Sequence, residues 1–259
     1  MQLTTNLSNA LIDLIRSGEA PIDAIEVGPW HSAREIQSYQ RHLSGWVFHF
    51  HAGSLISRVR WIPGSMRRLK RYLSCTQSLW VSVHIELLPW HLYLLGSRLG
   101  LYLAPPEPQK AMTRFAQDIA RLSRRVELPV ILENLPSLPT AKFAFVADPI
   151  CVTEVLESTN CGFLLDIAHA RVAAANQGGE ILEYLRQLPL ERVVQIHVSG
   201  PRLRNGFLCD AHEPLQDADY AILEWVLERT SPQVVTLEYF RERDLLREQL
   251  VRLRKTLVG

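Results

Sequence analysis

Short apolar runs alternate along the chain with segments of helical periodicity, and nearly every apolar run ends on a His, Asp or Glu. Alternating strands and helices of this kind are typical of an α/β fold with a parallel sheet. The predicted strands are 22–27, 45–50, 79–86, 129–134, 162–167, 192–198, 207–210 and 234–239. The predicted helices are 33–43, 65–73, 109–125, 149–158, 170–188, 217–230 and 245–257.

Eight predicted strands favour a closed (β/α)8 TIM barrel. The 259 residues, 47% of them hydrophobic, suffice for one sizeable core, so we expect a single TIM-barrel domain over 1–259. Only about ten residues separate the sixth and seventh predicted strands, so a loop with Ser199, Gly200 and Pro201 would replace a crossover helix there. A doubly wound open sheet is the alternative, but no G-x-G-x-x-G follows the first strand to indicate a dinucleotide site.

Charge and cysteine content bound the classes of partner. The formal net charge is +1 and no charged tail occurs, which gives no support to binding of nucleic acid or of a membrane surface. The apolar stretch 79–103 is interrupted by four ionisable residues and by Pro89, which argues against a membrane span. Four cysteines without a C-x-x-C pair favour a reduced, cytoplasmic compartment. Residues 1–20 are interpreted as an amphipathic helix, not a signal peptide.

Nine candidate metal ligands lie at or just after the predicted strand ends. They are His51, His84, Glu133, Asp166, His169, His197, Asp210, His212 and Glu238. Because the carboxyl ends of barrel strands converge on one mouth, we expect these side chains to form a multinuclear metal site there. Imidazole and carboxylate ligands without thiolate suit Zn, Fe or Mn, and the residue types alone do not choose between Zn and Fe.

Several candidates carry an alternative structural interpretation. Glu133 follows an apolar run, where an ionised carboxylate is costly unless it is paired or metal-bound; it could bridge two metals or form a salt bridge at the barrel end. Asp166 could equally be a helix N-cap. His49 shares a face with His51, but a buried histidine with a hydrogen-bond partner is the favoured interpretation for it. Asn134 would orient the site or receive substrate.

The segments that hold these candidates resemble a known family. They are IDAIEVG, HAGS, VSVHIEL, ILENLP, GFLLDIAHA, QIHVSG, CDAHEPL and TLEYFRE. Together they resemble the DUF692 family of MbnB-like, multinuclear non-heme iron-dependent oxidative enzymes. The resemblance extends from Asn6 to about Leu253, and it rests on the combined motifs because each motif alone is common.

The resemblance implies a xylose-isomerase-like TIM barrel with two or three iron ions of mixed Fe(II)/Fe(III) valence in its mouth. It further implies a dioxygen-dependent oxidase that modifies a residue, often Cys, of a ribosomally synthesised precursor peptide, one ion binding the thiolate and another activating dioxygen. A partner protein that captures the peptide leader is implied as well. Homo-oligomerisation stays open.

Carried over residue by residue, the resemblance implies three ligand groups. One ion would be held by His51, His84 and Glu133. A second would be held by Glu133, Asp166, His197 and Glu238, with Glu133 bridging. A third would be held by His169, Asp210 and His212. Glu133, Asp166 and His197 would be the catalytic residues.

The chain departs from the family's usual pattern at two places near the mouth. Val-Ser-Gly-Pro-Arg follows His197, where many relatives have a further His after the Gly, and Tyr239 and Phe240 follow Glu238, where many relatives have an acidic residue. These departures bear on the substrate and product more than on the metals.

Three other functions fit the same ligand order. An endonuclease IV-like phosphodiesterase would use zinc and need a basic surface, for which Arg58, Arg60, Arg67, Arg68, Lys70 and Arg71 form a local cluster. A solvated helix face is the simpler explanation of that cluster, and contact with a peptide leader or an acidic substrate is the alternative. A sugar isomerase or epimerase typically uses a catalytic lysine or paired carboxylates, and none of the four lysines ends a predicted strand. A metal-storing or scaffold barrel is the third alternative.

Overall fold

The computed structural model describes residues 1–54, 64–87, 96, 98–100, 106–136 and 141–258. The strands are β1 Gln2–Asn6, β2 Ala24–Val27, β3 Val47–Gly53, β4 Val81–His84, β5 Val130–Glu133, β6 Gly162–Asp166, β7 Val193–Val198, β8 Gly200–Arg204, β9 Phe207–Glu213 and β10 Val234–Leu237. The α-helices are α1 Asn9–Arg16, α2 Ala33–His42, α3 Ser65–Leu73, α4 Pro108–Ser123, α5 Pro149–Thr159, α6 Ile167–Asn176, α7 Ile181–Arg186, α8 Asp217–Leu227 and α9 Arg243–Val258. Two 3₁₀ helices cover Ala141–Ala147 and Leu190–Arg192.

Eight of the strands form a closed parallel barrel in the order β1-β10-β7-β6-β5-β4-β3-β2. The predicted TIM-barrel fold is therefore confirmed. The outward strand residues pack under the surrounding helices in one large apolar core, in which Phe48 and Phe163 are fully buried. Burial of both sheet faces explains why the strands appear in the sequence as nearly continuous apolar runs.

The first barrel strand lies where the sequence predicts only a helix. Gln2–Asn6 forms β1, which pairs with β10 and β2, and α1 begins three residues later. Leu3, Thr4 and Thr5 are buried. Their main-chain groups tolerate this burial because the parallel strands on both sides supply hydrogen-bond partners. The helical prediction for residues 1–20 is thus right for Asn9–Arg16 and wrong for Gln2–Asn6, and the helix ends four residues earlier than predicted.

The predicted strand 207–210 is extended but does not belong to the barrel. It lies in β9, which pairs antiparallel with β8 in a separate two-stranded sheet. Asn205 and Gly206 connect the two strands with φ angles of 52° and 82°, the conformation of the tight turns that suit a hairpin. A short antiparallel hairpin needs no crossover helix, so it accounts for the small separation between the sixth and seventh predicted strands.

The long helix predicted over 170–188 is two helices, α6 and α7. Gly178 and Gly179 follow α6, and Gly178 has a φ of 74°. A glycine in this left-handed region ends a helix without steric cost, which explains the break.

Inside the barrel, side chains of alternate strand residues change from apolar at the base to polar at the mouth. Trp80, Ile131, Leu164 and Val234 form a small apolar cluster separate from the main core. Two positions further along their strands come Ser82, Glu133, Asp166 and Thr236. Because strand side chains alternate between faces, this spacing of two places the polar residues above the apolar cluster, toward the carboxyl ends of the strands. None of the helices in the described part of the chain combines the length and apolarity that a membrane crossing requires.

Candidate metal centre

The structure brings all nine predicted ligands together at the carboxyl ends of the barrel strands. Five end or nearly end barrel strands, Glu238 directly follows β10, His169 lies in the first turn of α6, and Asp210 and His212 lie on the hairpin. Each of the nine has an imidazole nitrogen or carboxylate oxygen within 3.8 Å of one in another member of the set. The nine side chains therefore form one continuous cluster of nitrogen and oxygen atoms.

Glu133 lies at the centre of this cluster. Its Oε2 is 3.4 Å from His51 Nε2 and 3.3 Å from His84 Nε2. Its Oε1 is 3.6 Å from His169 Nδ1 and 3.8 Å from His197 Nδ1. Two ligand atoms that each lie ~2.1 Å from one ion, at a right or tetrahedral angle, are about 3.0–3.4 Å apart. The two Oε2 separations match that spacing.

Three buried polar atoms in the cluster have no hydrogen-bond partner among the described residues: Glu133 Oε2, Asp166 Oδ2 and His197 Nδ1. Buried polar atoms in native proteins are almost always satisfied. The two carboxylate oxygens bear lone pairs, as His197 Nδ1 does when the ring proton is on Nε2, and all three atoms lie among other potential ligands. Their chemistry and their lack of partners fit the binding of metal ions.

In three of the histidines, the ring nitrogen Nδ1 is anchored by a hydrogen bond. His51 Nδ1 is 2.9 Å from Ser82 Oγ, His84 Nδ1 is 3.0 Å from Ser54 Oγ, and His169 Nδ1 is 2.8 Å from the Asn134 carbonyl oxygen. A carbonyl only accepts, so His169 carries its proton on Nδ1 and leaves Nε2 as the free ligand nitrogen. That Nε2 is 3.4 Å from Asp210 Oδ2.

The geometry of Asp166 is compatible with both roles that the sequence leaves open for it. Its Oδ1 accepts a hydrogen bond from the His169 backbone N–H at 2.7 Å and caps α6, while its Oδ2 has no such partner. The Asn134 side chain accepts from the Asp166 N–H and donates to the Asp166 carbonyl, each at 2.9 Å. Asn134 is fully buried, so its amide orients the Asp166 backbone from within the protein.

Asp210 and His212 come from an irregular part of the hairpin. Between the pairs Gly200↔Glu213 and Arg202↔Cys209, the register advances by two residues on β8 and by four on β9. His212 adopts a φ of 47°, which a non-glycine residue rarely adopts and which is frequent at functional positions. This bulge brings His212 Nδ1 to 3.5 Å from Asp210 Oδ2 and its Nε2 to 3.3 Å from Glu238 Oε2.

Crowding of carboxylates and imidazoles perturbs the pKa values of the cluster. Burial opposes ionisation of Glu133, but the neighbouring His84 and His51 outweigh it and lower its pKa to about 2. Burial raises the pKa of Asp166 to about 7, with Glu238 and Asp210 adding to the rise against the opposing effect of His169. A bound divalent cation would reverse this rise, because it stabilises the ionised carboxylate directly.

Three groups of side chains in the described residues are close enough to hold an ion each. They are His51–His84–Glu133, Glu133–Asp166–His169, and Glu26–His197–Glu238. Glu133 belongs to two of them. Glu26 is absent from the sequence-based candidates because it lies within the apolar run IDAIEV, not at its end. The signal that could have found it is a lone acidic residue inside a buried strand.

Other residues noted in the sequence lie away from the cluster. His49 is buried next to Glu26 in the β2–β3 register but belongs to none of the three groups, and burial lowers its pKa. Arg58, Arg60, Pro89 and His91 lie outside the described residues. Of the remaining basic cluster, Arg67, Lys70 and Arg71 lie on exposed positions of α3.

A cavity of about 470 Å³ opens above the cluster. Its polar lining comes from candidate ligands and Asn6, while Leu7, Trp30 and Phe240 line it with apolar surface. Trp30 is 56% and Phe240 43% exposed, and their rings lie 6.5 Å from His51 and 6.2 Å from His212, respectively. The Trp30 ring packs against the backbone at Gly28. A Cβ at this position would lie 2.1 Å from the ring, so the packing depends on the glycine. The cavity therefore joins a polar floor to an aromatic rim.

The sequence profile of the RiPP precursor modification enzymes MbnB/TglH/ChrH matches residues 28–254. The chain belongs to this family. The match includes every candidate ligand and also Trp30 and Phe240, which confirms the resemblance found in the motifs.

Curated relatives match over part of their length. A UPF0276 protein of Caulobacter vibrioides is 32% identical over 174 residues, which cover 67% of this chain and 61% of that protein. A UPF0276 protein of Bordetella pertussis is 30% identical over 134 residues, covering 49% of this chain and 46% of that protein. The chain thus spans less than two thirds of the length of these relatives.

Solved structures with the same fold are distant in sequence. A D-tagatose 3-epimerase-like protein superposes with a TM-score of 0.62 at 16% identity and covers 100% of this chain and 97% of its own. The 3-keto-D-glucoside 4-epimerase YcjR from E. coli gives a TM-score of 0.61 at 13% identity, with 100% of both chains covered. These likenesses show the fold shared with xylose-isomerase-like barrels and nothing about the reaction.

Gly53 gives a test of the metal centre that leaves the ligands themselves unchanged. A Cβ at Gly53 would lie 3.2 Å from His51 Nε2 and 3.5 Å from His84 Nε2, and Gly53 has a φ of 52°. We expect Gly53→Ala to displace these imidazoles and to weaken metal binding by roughly tenfold or more, measured by chelator competition. Gly18→Ala is the control, since Gly18 has a φ of 73° with nothing within 4 Å. Equal metal affinity in both variants would contradict the assignment of this site.

Proposed function

We propose that the protein is a multinuclear non-heme iron, dioxygen-dependent oxidase that modifies a residue, most simply a Cys, of a ribosomally synthesised precursor peptide. The observation that carries the proposal is the set of unpartnered buried ligand atoms on Glu133, Asp166 and His197, in a chain that belongs to a peptide-modifying family. A partner protein that holds the peptide leader belongs to the same proposal, because family resemblance implies one.

We assign the ligands to three ions. His51, His84 and Glu133 form one group. Glu133, Asp166, His197 and Glu238 form a second, and His169, Asp210 and His212 form a third. Proximity alone would place His169 with Glu133 and Asp166 through its Nδ1. The hydrogen bond from that nitrogen to the Asn134 carbonyl favours the third group instead, since Nε2 is the nitrogen left to bind an ion.

The proposed reaction divides between bound iron and the residues around it. Iron supplies Lewis acidity, which lowers the pKa of a bound thiol, and the electrons that reduce dioxygen. Glu133, which belongs to two of the groups, would help to hold two of the ions. Asp166 and His197 hold their ligand atoms rigidly, because both side chains are fully buried and anchored. Leu7, Trp30 and Phe240 exclude water above the reacting residue and receive its apolar neighbours in the peptide.

The decisive test combines metal content with peptide chemistry. Protein purified anaerobically from iron-supplemented cells should contain two or more Fe per chain with little Zn. Co-expression with short Cys-containing peptides encoded beside its gene should give an iron- and dioxygen-dependent mass change in one of them, detected by mass spectrometry. Stoichiometric Zn without Fe and no peptide product would overturn the proposal. Abasic DNA and ketose sugars would then be the substrates to test.

The ligand assignment predicts different metal losses for two substitutions. Glu133→Gln removes a residue shared by two groups, so we expect about two ions fewer per chain; Asp210→Asn should lose about one, measured by elemental analysis. Asp219→Asn is the control. This buried carboxylate at the start of α8 pairs with Arg171 and the Gln216 backbone N–H, and among the described residues it forms no ion pair with a candidate ligand. Identical losses for Glu133→Gln and Asp210→Asn would rule out the bridging role of Glu133.

The aromatic rim predicts an effect on peptide binding that is separate from metal binding. We expect Trp30→Ala to raise the apparent KM for the peptide roughly tenfold, because a large aromatic contact is lost, while the iron content stays unchanged. Val251→Ala, at an exposed position of α9 on the outside of the barrel, should change neither quantity. A Trp30→Ala variant with unaltered KM would remove the rim from the peptide-binding site.

A further inference from the structure

His197 is turned around relative to the other anchored histidines of the cluster. Nδ1 makes the anchoring hydrogen bond in His51, His84 and His169. In His197, Nε2 faces away from the cluster and lies 3.2 Å from Glu26 Oε2. Its Nδ1 faces the cluster and lies 3.3 Å from Glu238 Oε1. Both ends of the ring thus meet a carboxylate. A metal-binding imidazole keeps a single proton, and the position of that proton decides which nitrogen can bind the ion.

Glu26 is surrounded by hydrogen-bond donors below the metal centre. It is 2% exposed in the interior of the barrel. Its Oε2 accepts from Gln195 Nε2 at 3.0 Å and from Thr236 Oγ1 at 3.4 Å, and its Oε1 accepts from Asn6 Nδ2 at 3.3 Å. With the proton of His197 Nε2 these donors satisfy the carboxylate from several sides, so an ion at Glu26 would have to displace them.

The orientation of Gln195 decides where the proton of His197 lies. The Trp80 indole N–H, which can only donate, lies 2.7 Å from Gln195 Oε1 and fixes that atom as the acceptor. The Gln195 NH₂ group therefore faces Glu26, Thr236 Oγ1 at 3.0 Å and His197 Nε2 at 3.0 Å. Two oxygen acceptors, Glu26 Oε2 and Thr236 Oγ1, are available for its two hydrogens, so Gln195 needs no third acceptor and His197 Nε2 can donate its own proton to Glu26.

We propose that Glu26 is a positioning residue of the metal centre, which accepts the Nε2–H of His197 and so leaves Nδ1 unprotonated toward Glu133 and Glu238. A carboxylate behind a histidine fixes its tautomer and raises its strength as a ligand. Distances alone group Glu26 with His197 and Glu238 as a possible ion site. The two carboxylates, however, face opposite nitrogens of one ring. The inference rests on the proposed metal centre and not on iron as its occupant.

The first test needs no substitution. In the full chain loaded with Zn, nitrogen-15 NMR of the His197 imidazole should show a proton on Nε2 and a metal-bound Nδ1. The proton on Nε2 should exchange slowly with water, because it is buried and hydrogen-bonded to a carboxylate. An unprotonated Nε2 overturns the proposal. Since Zn is the probe, the result does not depend on iron or oxidase activity, and failure of the proposed function would leave it standing.

The second test separates a positioning residue from a ligand. We expect Glu26→Gln to bind as many ions as the natural chain at saturating Zn, but with one site weakened roughly 10- to 100-fold in chelator competition. The signal of the His197 Nε2 proton should shift as well. A missing ion at saturation would make Glu26 a ligand, and unchanged affinity with an unchanged signal would make it a bystander; both results contradict the proposal.

Two further variants control for the loss of a buried charge. Glu26→Asp keeps the charge but withdraws the carboxylate by one methylene, so it should weaken the same site. Asp219→Asn removes a buried carboxylate elsewhere and should leave Zn affinity and the His197 signal unchanged. If Glu26→Gln does not fold, the NMR measurement on the natural chain still decides the question.

Discussion

The structure depends on the gathering of five carboxylates and five imidazoles, most of them buried, in one place at the barrel mouth. Glu26, Glu133 and Asp166 are each no more than 2% exposed, and Asp210 and Glu238 adjoin them. Ionised carboxylates are far too costly to bury without compensation. Here the compensation comes from imidazoles, from main-chain and side-chain donors and, in our proposal, from metal cations. The barrel must be rigid enough to hold these charges against their mutual repulsion.

The parallel barrel provides that rigidity through the alternation of its strands. Each strand directs one set of residues outward, under the helices, and the other inward. On the inner face the side chains progress from Trp80, Ile131 and Leu164 at the base to Glu133 and Asp166 at the mouth. The apolar base keeps water from the lower side of the cluster, which strengthens every electrostatic interaction above it.

The sequence predicts the barrel well because both of its signals are local. A ligand-type residue at the end of an apolar run locates a strand end, and helical periodicity locates the crossover helices. The first strand is not predicted from the sequence because QLTTN has only one large apolar residue. Its burial depends on pairing with β2 and β10, which are distant in sequence. FLCD meets the same criteria as a barrel strand, and only the pairing partner distinguishes it.

The candidate site is predictable to the extent that ligands lie at strand ends. The bulge that brings His212 to Asp210 depends on a change of register and on a positive φ, and neither has a sequence signal of its own. Glu26 escapes for a related reason. Its role depends on Gln195 and Thr236, which come from strands far along the chain and meet only across the barrel interior.

The inverted ring of His197 suits the geometry of a cluster with one central carboxylate. Nδ1 lies next to the carbon that joins the ring to the side chain, so it lies nearer the strand than Nε2 does. His51 and His84 approach Glu133 Oε2 with Nε2, whereas His197 approaches Glu133 Oε1 with Nδ1. The two oxygens of Glu133 are thus approached by different nitrogens of these imidazoles. Such an arrangement requires a partner beneath His197 to hold its Nε2, and Glu26 occupies that position.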